Sequence, residues 1–175
     1  MKKLTIIILI GLLMISTISG LIAKEKVANF HLKDLRGKKI SLYEHLGNGF
    51  VILDFWATWC VPCKKSLPEM DKIHKEFPDV TVMAINTDRP RSMRKAKTYV
   101  KTHRFKFIPL FDKNSKVKDK FNVTTVPRAI IIAPNGKIIY DHTGFKKGDS
   151  KHIIQKIKNW KKENGKKEKK HEALY

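Results

Sequence analysis

Cysteine is nearly absent from this chain of 175 residues: there are two, Cys60 and Cys63. A pair three positions apart cannot staple a small scaffold, and a chain this long does not need one. It also falls short of the four ligands of a structural zinc site. No His-x3–5-His pair follows it, and His74 and His103 stand alone. A c-type haem attachment needs histidine after the second cysteine, where this chain has Lys64. No metal or other cofactor is therefore expected. Acidic residues are scarce too, 16 against 37 lysines and arginines, which gives a formal net charge of +21. Such a surface favours anionic partners or an anionic membrane face. No nucleic-acid motif or internal repeat accompanies the charge, so nucleic acid is not an expected partner.

Long uncharged runs are also missing, except for one. Lys2 and Lys3 precede 20 uncharged residues, Leu4 to Ala23. A basic start, an apolar stretch to Ile15 and then small residues read as an export signal, with Thr17 and Ser19 at the −3 and −1 positions of a cleavage site. The run is also just long enough to stay as a membrane anchor. Either reading puts the rest of the chain outside the cytoplasm. No cysteine lies nearby, which excludes lipoprotein attachment. The organisation expected is residues 1–23 as signal or anchor, 24–162 as one α/β domain, and 163–175 as a lysine-rich, disordered tail. Residues 156–175 carry eight lysines against three glutamates. Lysine runs usually mean solvated surface, but this one is also a candidate contact for anionic membrane.

Asn29 to Lys33 and Lys39 to Leu42 alternate around Asp34-Leu35-Arg36-Gly37 and read as a hairpin. Phe50 to Phe55 is a continuous run suited to a strand buried on both faces, and Val80 to Asn86 is a second. Between them Cys63, Leu67, Met70, Ile73 and Phe77 recur at helical spacing, with Pro68 inside, where it should kink the helix. The spacing predicts a helix over Ser92 to Arg104, a strand over Phe107 to Phe111 and a short helix over Ser115 to Phe121. Arg128 to Ala133 and Lys137 to Asp141 are strands joined by Pro134-Asn135-Gly136, and Asp149 to Lys162 closes as a helix. This order implies a mixed sheet flanked by helices.

The chemistry concentrates where Asp54-Phe55-Trp56-Ala57-Thr58-Trp59-Cys60-Val61-Pro62-Cys63 runs off a strand into a helix. Cys60 would sit at the helix N-terminus, where unpaired N–H groups favour a thiolate. Lys64 and Lys65 add positive charge. Cys63 lies one turn in and less exposed, so Cys60 is the attacking thiol and Cys63 the one that resolves the mixed disulfide. A disulfide closing so small a loop would stabilise little. Asp54 is a carboxylate in an apolar strand. Buried without a partner, its pKa would rise, which suits a proton acceptor for Cys63; the alternative is an aspartate turned to solvent at the strand end. Trp56 and Trp59 more often pack beside such a site than act in it. Pro127, at a strand start, is either a cis bond or an edge residue.

Together these residues resemble the thioredoxin superfamily, and within it the exported TlpA/ResA/CcmG-like branch. The resemblance rests on Phe55 to Cys63 with Leu67-Pro68-Glu69-Met70, on Phe30 to Lys38, and on Val126-Pro127 with Ala133 to Lys137. It covers about residues 27 to 160. It implies a thioredoxin-like α/β fold with an N-terminal β-hairpin and an added helix and strand, around Asp88 to Phe111, between the dithiol helix and the cis-Pro strand. It implies Cys60 as nucleophile, Cys63 as resolver, and a cis Val126–Pro127 bond that contacts substrate backbone. Trp59, Val126 and Pro127 are the candidates for substrate contact. Asp54 matches the buried acid of thioredoxins, although asparagine is common there in this branch. Asp88 is the nearest match to an acidic residue that members carry in the insert.

The activity implied is extracytoplasmic thiol–disulfide exchange. On the resemblance it is a reductase of protein disulfides, such as apocytochrome c cysteines in cytochrome c biogenesis, with electrons from a membrane thiol carrier. Its alternatives are a disulfide oxidant or isomerase, or a non-enzymatic metal- or polyanion-binding module. Peroxiredoxins share parts of this fold, but their catalytic cysteine sits in a motif without a Cys-x-x-Cys pair.

Overall fold

The computed structural model describes residues 27–172, with side chains described to 165. The export segment expected at residues 1–23 lies outside the described residues.

Two apolar runs become the centre of the sheet. All seven residues of β3 (Phe50–Trp56) are buried, and β4 (Val80–Asn86) pairs parallel to it. β5 (Ile108–Phe111) lies parallel on the far side of β4. β6 (Arg128–Ile132) runs antiparallel to β3, and β7 (Ile138–Thr143) antiparallel to β6. The predicted hairpin forms β1 (His31–Lys33) and β2 (Lys39–Ser41). Its turn is held by Asp34, whose Oδ1 accepts from the Arg36 and Lys38 backbone N–H at 2.8 Å each, while Gly37 supplies a φ of +87°. The sheet order is β2-β1-β5-β4-β3-β6-β7. The insert thus contributes a helix and the strand β5, which joins the hairpin to the central pair.

Alternation along β3 divides the core. Phe50, Ile52 and Trp56 face the helices α1 (Val61–Glu76), α2 (Met93–His103) and α4 (Asp149–Glu172), which bury Leu67, Ala96 and Ile153 there. Val51, Leu53 and Phe55 face Phe30, Leu42, Val117 and Phe121. Among the described residues, the one-turn helix α3 (Lys116–Lys120), a 3-10 turn at Tyr43–His45 and loop segments cover this second face. Asp112 anchors α3, its Oδ2 accepting from the N–H of Val117 and Lys118 at 3.0 and 2.7 Å. α1 runs unbroken through Pro68, which is exposed and has no N–H to give the Lys64 carbonyl.

One boundary differs from expectation. The last helix does not stop at Lys162: α4 continues to Glu172, and residues 173–175 of the expected tail lie outside the described residues. Lysine and glutamate are good helix formers, and once Ile153 and Ile157 are packed on the sheet the helix is already nucleated and can extend along such a sequence.

Candidate functional site

β3 and β4 end level with each other, Trp56 opposite Asn86, and the chain leaves β3 through Ala57-Thr58-Trp59 into α1. This is the carboxyl end of the parallel strands, the usual place for a site in an open α/β sheet. Cys60 is the N-cap of α1 and Pro62 lies in its first turn, where a missing N–H costs nothing. Cys60 and Cys63 are joined in a disulfide with Cα atoms 5.3 Å apart. The Cys63 N–H donates to Cys60 Sγ at 3.1 Å. That bond places an orphan helix donor on the sulfur, so a thiolate released at Cys60 would meet a donor and the positive end of the helix together. Lys64 and Lys65 are exposed one turn on, and Lys64 Nζ lies 5.9 Å from the centre of the Tyr99 ring.

The expected distinction between the sulfurs is present but small, since Cys60 is 4% exposed and Cys63 fully buried. Cys60 is the more accessible of the two. Its Sγ is 3.6 Å from the Val126 carbonyl oxygen, and the Val126–Pro127 peptide is cis. Pro127 is buried and Val126 half-buried, and among the described residues the Val126 carbonyl accepts no backbone N–H. Trp59, 70% exposed, and Val61 form an apolar rim beside the disulfide. An extended peptide laid across this rim would reach Cys60 and the Val126 carbonyl at once. Trp56 differs from Trp59: it is fully buried under the loop, against Tyr99 at 5.7 Å between ring centres.

Asp54 does not turn to solvent. It sits on the helix-covered face of β3, 1% exposed, and burial pushes its carboxyl up to about 7. Its Oδ2 has no hydrogen-bond partner among the described residues. Ser66 lines the same small cavity, and its hydroxyl donates to the Cys63 carbonyl at 3.0 Å. A carboxyl that titrates near neutrality beneath the helix of the buried thiol can take up or return a proton there.

Asp88 makes no hydrogen bond to either sulfur among the described residues. It is buried behind the loop, where its Oδ2 accepts from the Thr58 N–H at 3.0 Å and from the Asn86 side-chain amide at 2.9 Å. It fastens the chain two residues before Cys60. Asn86 and Thr58 were not singled out by sequence reasoning, nor were Ser66 and His142, which also faces the Asp54 cavity. The polar tripeptide Asn86-Thr87-Asp88 closing an apolar strand was the available signal for the first pair. Among the described residues no cluster of three or more histidine, cysteine or acidic side chains is placed to hold a metal.

Comparison with known proteins gives the same picture. The family model described as "AhpC/TSA family" matches residues 23–141. The thiol-disulfide oxidoreductase ResA of Halalkalibacterium halodurans is 35% identical over 124 residues, 70% of this chain and 69% of the relative. Among solved structures, a Chlorobium tepidum protein assigned as thiol:disulfide interchange protein DsbE superposes with a TM-score of 0.70 at 28% identity, covering 76% of this chain and 93% of that one. The exposed lipoprotein thioredoxin Etrx1 of Streptococcus pneumoniae superposes with a TM-score of 0.65 at 30% identity, over 75% and 99%.

Proposed function

The chain belongs to the AhpC/TSA family and is a thioredoxin-like thiol–disulfide oxidoreductase, and from that premise we propose that it reduces protein disulfides outside the cytoplasm. Cys60 thiolate attacks the substrate disulfide and forms a mixed disulfide, releasing the first substrate thiolate. Cys63 gives its proton to Asp54 and attacks Cys60 Sγ. The second substrate thiolate leaves, and the Cys60–Cys63 disulfide remains, carrying the two electrons' worth of oxidation. Reduction by a membrane thiol carrier restores the dithiol. Trp59, Val126 and Pro127 hold the substrate backbone, and oxidised apocytochrome c cysteines are the substrate class. The lysine-rich sequence of residues 156–175 supports a contact with anionic membrane, and the pneumococcal neighbour, an exposed lipoprotein, supports work outside the cytoplasm.

The observation that carries this reading is the asymmetry of the pair. Cys60 has an N–H donor on its sulfur and lies beside the rim; Cys63 is fully buried on the helix whose Ser66 shares a cavity with Asp54, an acid pushed up to about 7. A second reading, disulfide oxidant or isomerase, draws on the same N-cap: stabilising the Cys60 thiolate stabilises the reduced protein, which makes it more oxidising. The potential separates them. A couple near the roughly −270 mV of thioredoxin supports the reductase, and one near the roughly −120 mV of DsbA overturns it. Cys60→Ala should abolish exchange, and Cys63→Ala should accumulate a mixed disulfide through Cys60, identified by mass spectrometry of the trapped peptide. Full activity in Cys60→Ala would remove the assignment.

A further inference from the structure

Asp54 is sealed from solvent, and a proton that it does not return to Cys63 when the disulfide is re-reduced needs another way out. The way out is written in the sheet register. Asp54 of β3 pairs with Ala129 of β6, and Ala129 pairs with His142 of β7. Residues directly opposite across antiparallel strands point to the same face. Strands lie about 4.8 Å apart, so Asp54 and His142 stand on the order of 10 Å apart on one row. The residue between them on that row is Ala129, whose side chain is a single methyl. The gap it leaves is a cavity of about 10 Å³ walled by Asp54, Ala129 and His142 together, close to the room that one water needs. Asp54 Oδ2 is unpartnered at the inner end. The His142 side chain is 42% exposed at the outer end, with Nε2 3.8 Å from Asp149 Oδ2.

We propose that His142 is the proton exit of Asp54: the proton received from Cys63 passes from the Asp54 carboxyl to a water in this cavity, the water passes a proton to the imidazole, and the imidazole releases one to solvent. Every step moves a proton only, and the carboxylate, the water and the neutral imidazole are regenerated. The route rests on the reading that Asp54 accepts the Cys63 proton.

The other groups facing Asp54 do not offer the same route. Ser66 on α1 is the polar side chain of that helix in the cavity, and its hydroxyl is committed to the Cys63 carbonyl. Pro127, just before β6, and Ala129 of β6 cannot titrate. On β7 Tyr140 is the second titratable group, and burial followed by the charge of Asp149 pushes its phenol up, so it stays protonated near neutrality. On α4 Asp149 already accepts the Lys146 N–H at 2.6 Å and faces His142. An imidazole can both accept and hand on a proton, which suits a side chain that lines the cavity and is 42% exposed.

The test follows the Asp54 carboxyl in the oxidised protein by time-resolved infrared spectroscopy, after a pH jump across its value of about 7. The Asp54→Asn variant identifies the band. His142→Gln should slow loss of the band by about tenfold or more, and added imidazole should restore the rate in His142→Ala in proportion to its concentration. Ala129→Val, which fills the gap and removes no titratable group, should slow it likewise with His142 intact. Relaxation of His142→Gln at the native rate, or failure of imidazole to rescue His142→Ala, overturns the exit. The role of Asp54 in resolution is read separately, by the rate at which Asp54→Asn resolves a preformed mixed disulfide. An unslowed rate there removes the acceptor role and leaves the infrared result on His142 standing by itself.

Discussion

The two buried acids beside α1 meet opposite fates. Asp71, in the second half of the helix, is 4% exposed, and Asp54, under its first turns, is 1% exposed. Burial raises both carboxyls. At Asp71 the Lys75 ammonium, 2.6 Å from Oδ2, and the backbone N–H groups of Lys106 and Phe107 on Oδ1 more than reverse the effect and hold it below its usual range. Nothing reverses it at Asp54, which rises to about 7. The end of the helix that braces the loop before β5 is fully satisfied. The end that carries the sulfurs keeps an acid whose charge is unfavourable in the fold. Burial and polar pairing agree at Asp71 and part at Asp54, beneath the reactive end, which is where a strained choice has a use.

The largest expected effect comes from ending that lapse. Asp54 binds its proton more tightly folded than unfolded. Between its ordinary 3.8 and about 7 the folded state therefore holds more protons, and stability falls as pH rises through that window. Asp54→Asn should flatten this slope and stabilise the oxidised protein above pH 7 by up to about 4 kcal/mol. Urea unfolding on both sides of the window measures it. Equal slopes in the two proteins would mean that Asp54 is hydrated and ionised, and the contrast between the two ends would disappear.

Asp71→Ala should act in the other direction. It strands the Lys106 and Phe107 N–H groups and should cost about 2–3 kcal/mol at neutral pH. Because the folded value of Asp71 is lowered, its contribution is present above the unfolded carboxylate value and lost as pH falls through the folded one. The deficit of the variant should therefore shrink in acid. A deficit that stays constant with pH would show that Asp71 serves by packing alone.

Much of this was legible in the sequence. β4 has the predicted bounds, and β3 extends one residue past them, because strands buried on both faces leave unbroken apolar runs. The placement of Cys60 followed from a strand run ending just before a helical period. Pro127 was different, since spacing alone left cis and edge readings open, and the family resemblance decided between them. Lysine-rich composition was misleading at the C-terminus, where helix propensity carried α4 to Glu172. His142 was out of reach for a topological reason. It lies 88 residues from Asp54 in the chain and meets the cavity only because β6 inserts between β3 and β7. Its strand is largely exposed, so the alternation of β7 identified no face as special.

The smallest expected effect sharpens what satisfies Asp71. Lys75 makes its largest single compensating contact, but the lysine is half exposed and sits at i,i+4 on the same helix. Water competes for an ammonium so placed, and such pairs contribute about 0.5 kcal/mol. The backbone donors of Lys106 and Phe107 face no such competition where Phe107 is buried. Lys75→Met should therefore cost about 0.5 kcal/mol, fade in high salt, and move the acid limb of stability slightly upward as the Asp71 carboxyl loses part of its compensation. If Lys75→Met instead costs as much as Asp71→Ala, a surface cation rather than the loop backbone satisfies the acid. The second half of α1 would then depend on solvent-exposed charge, and the two ends of the helix would differ in the reach of a lysine more than in how the fold closes over them.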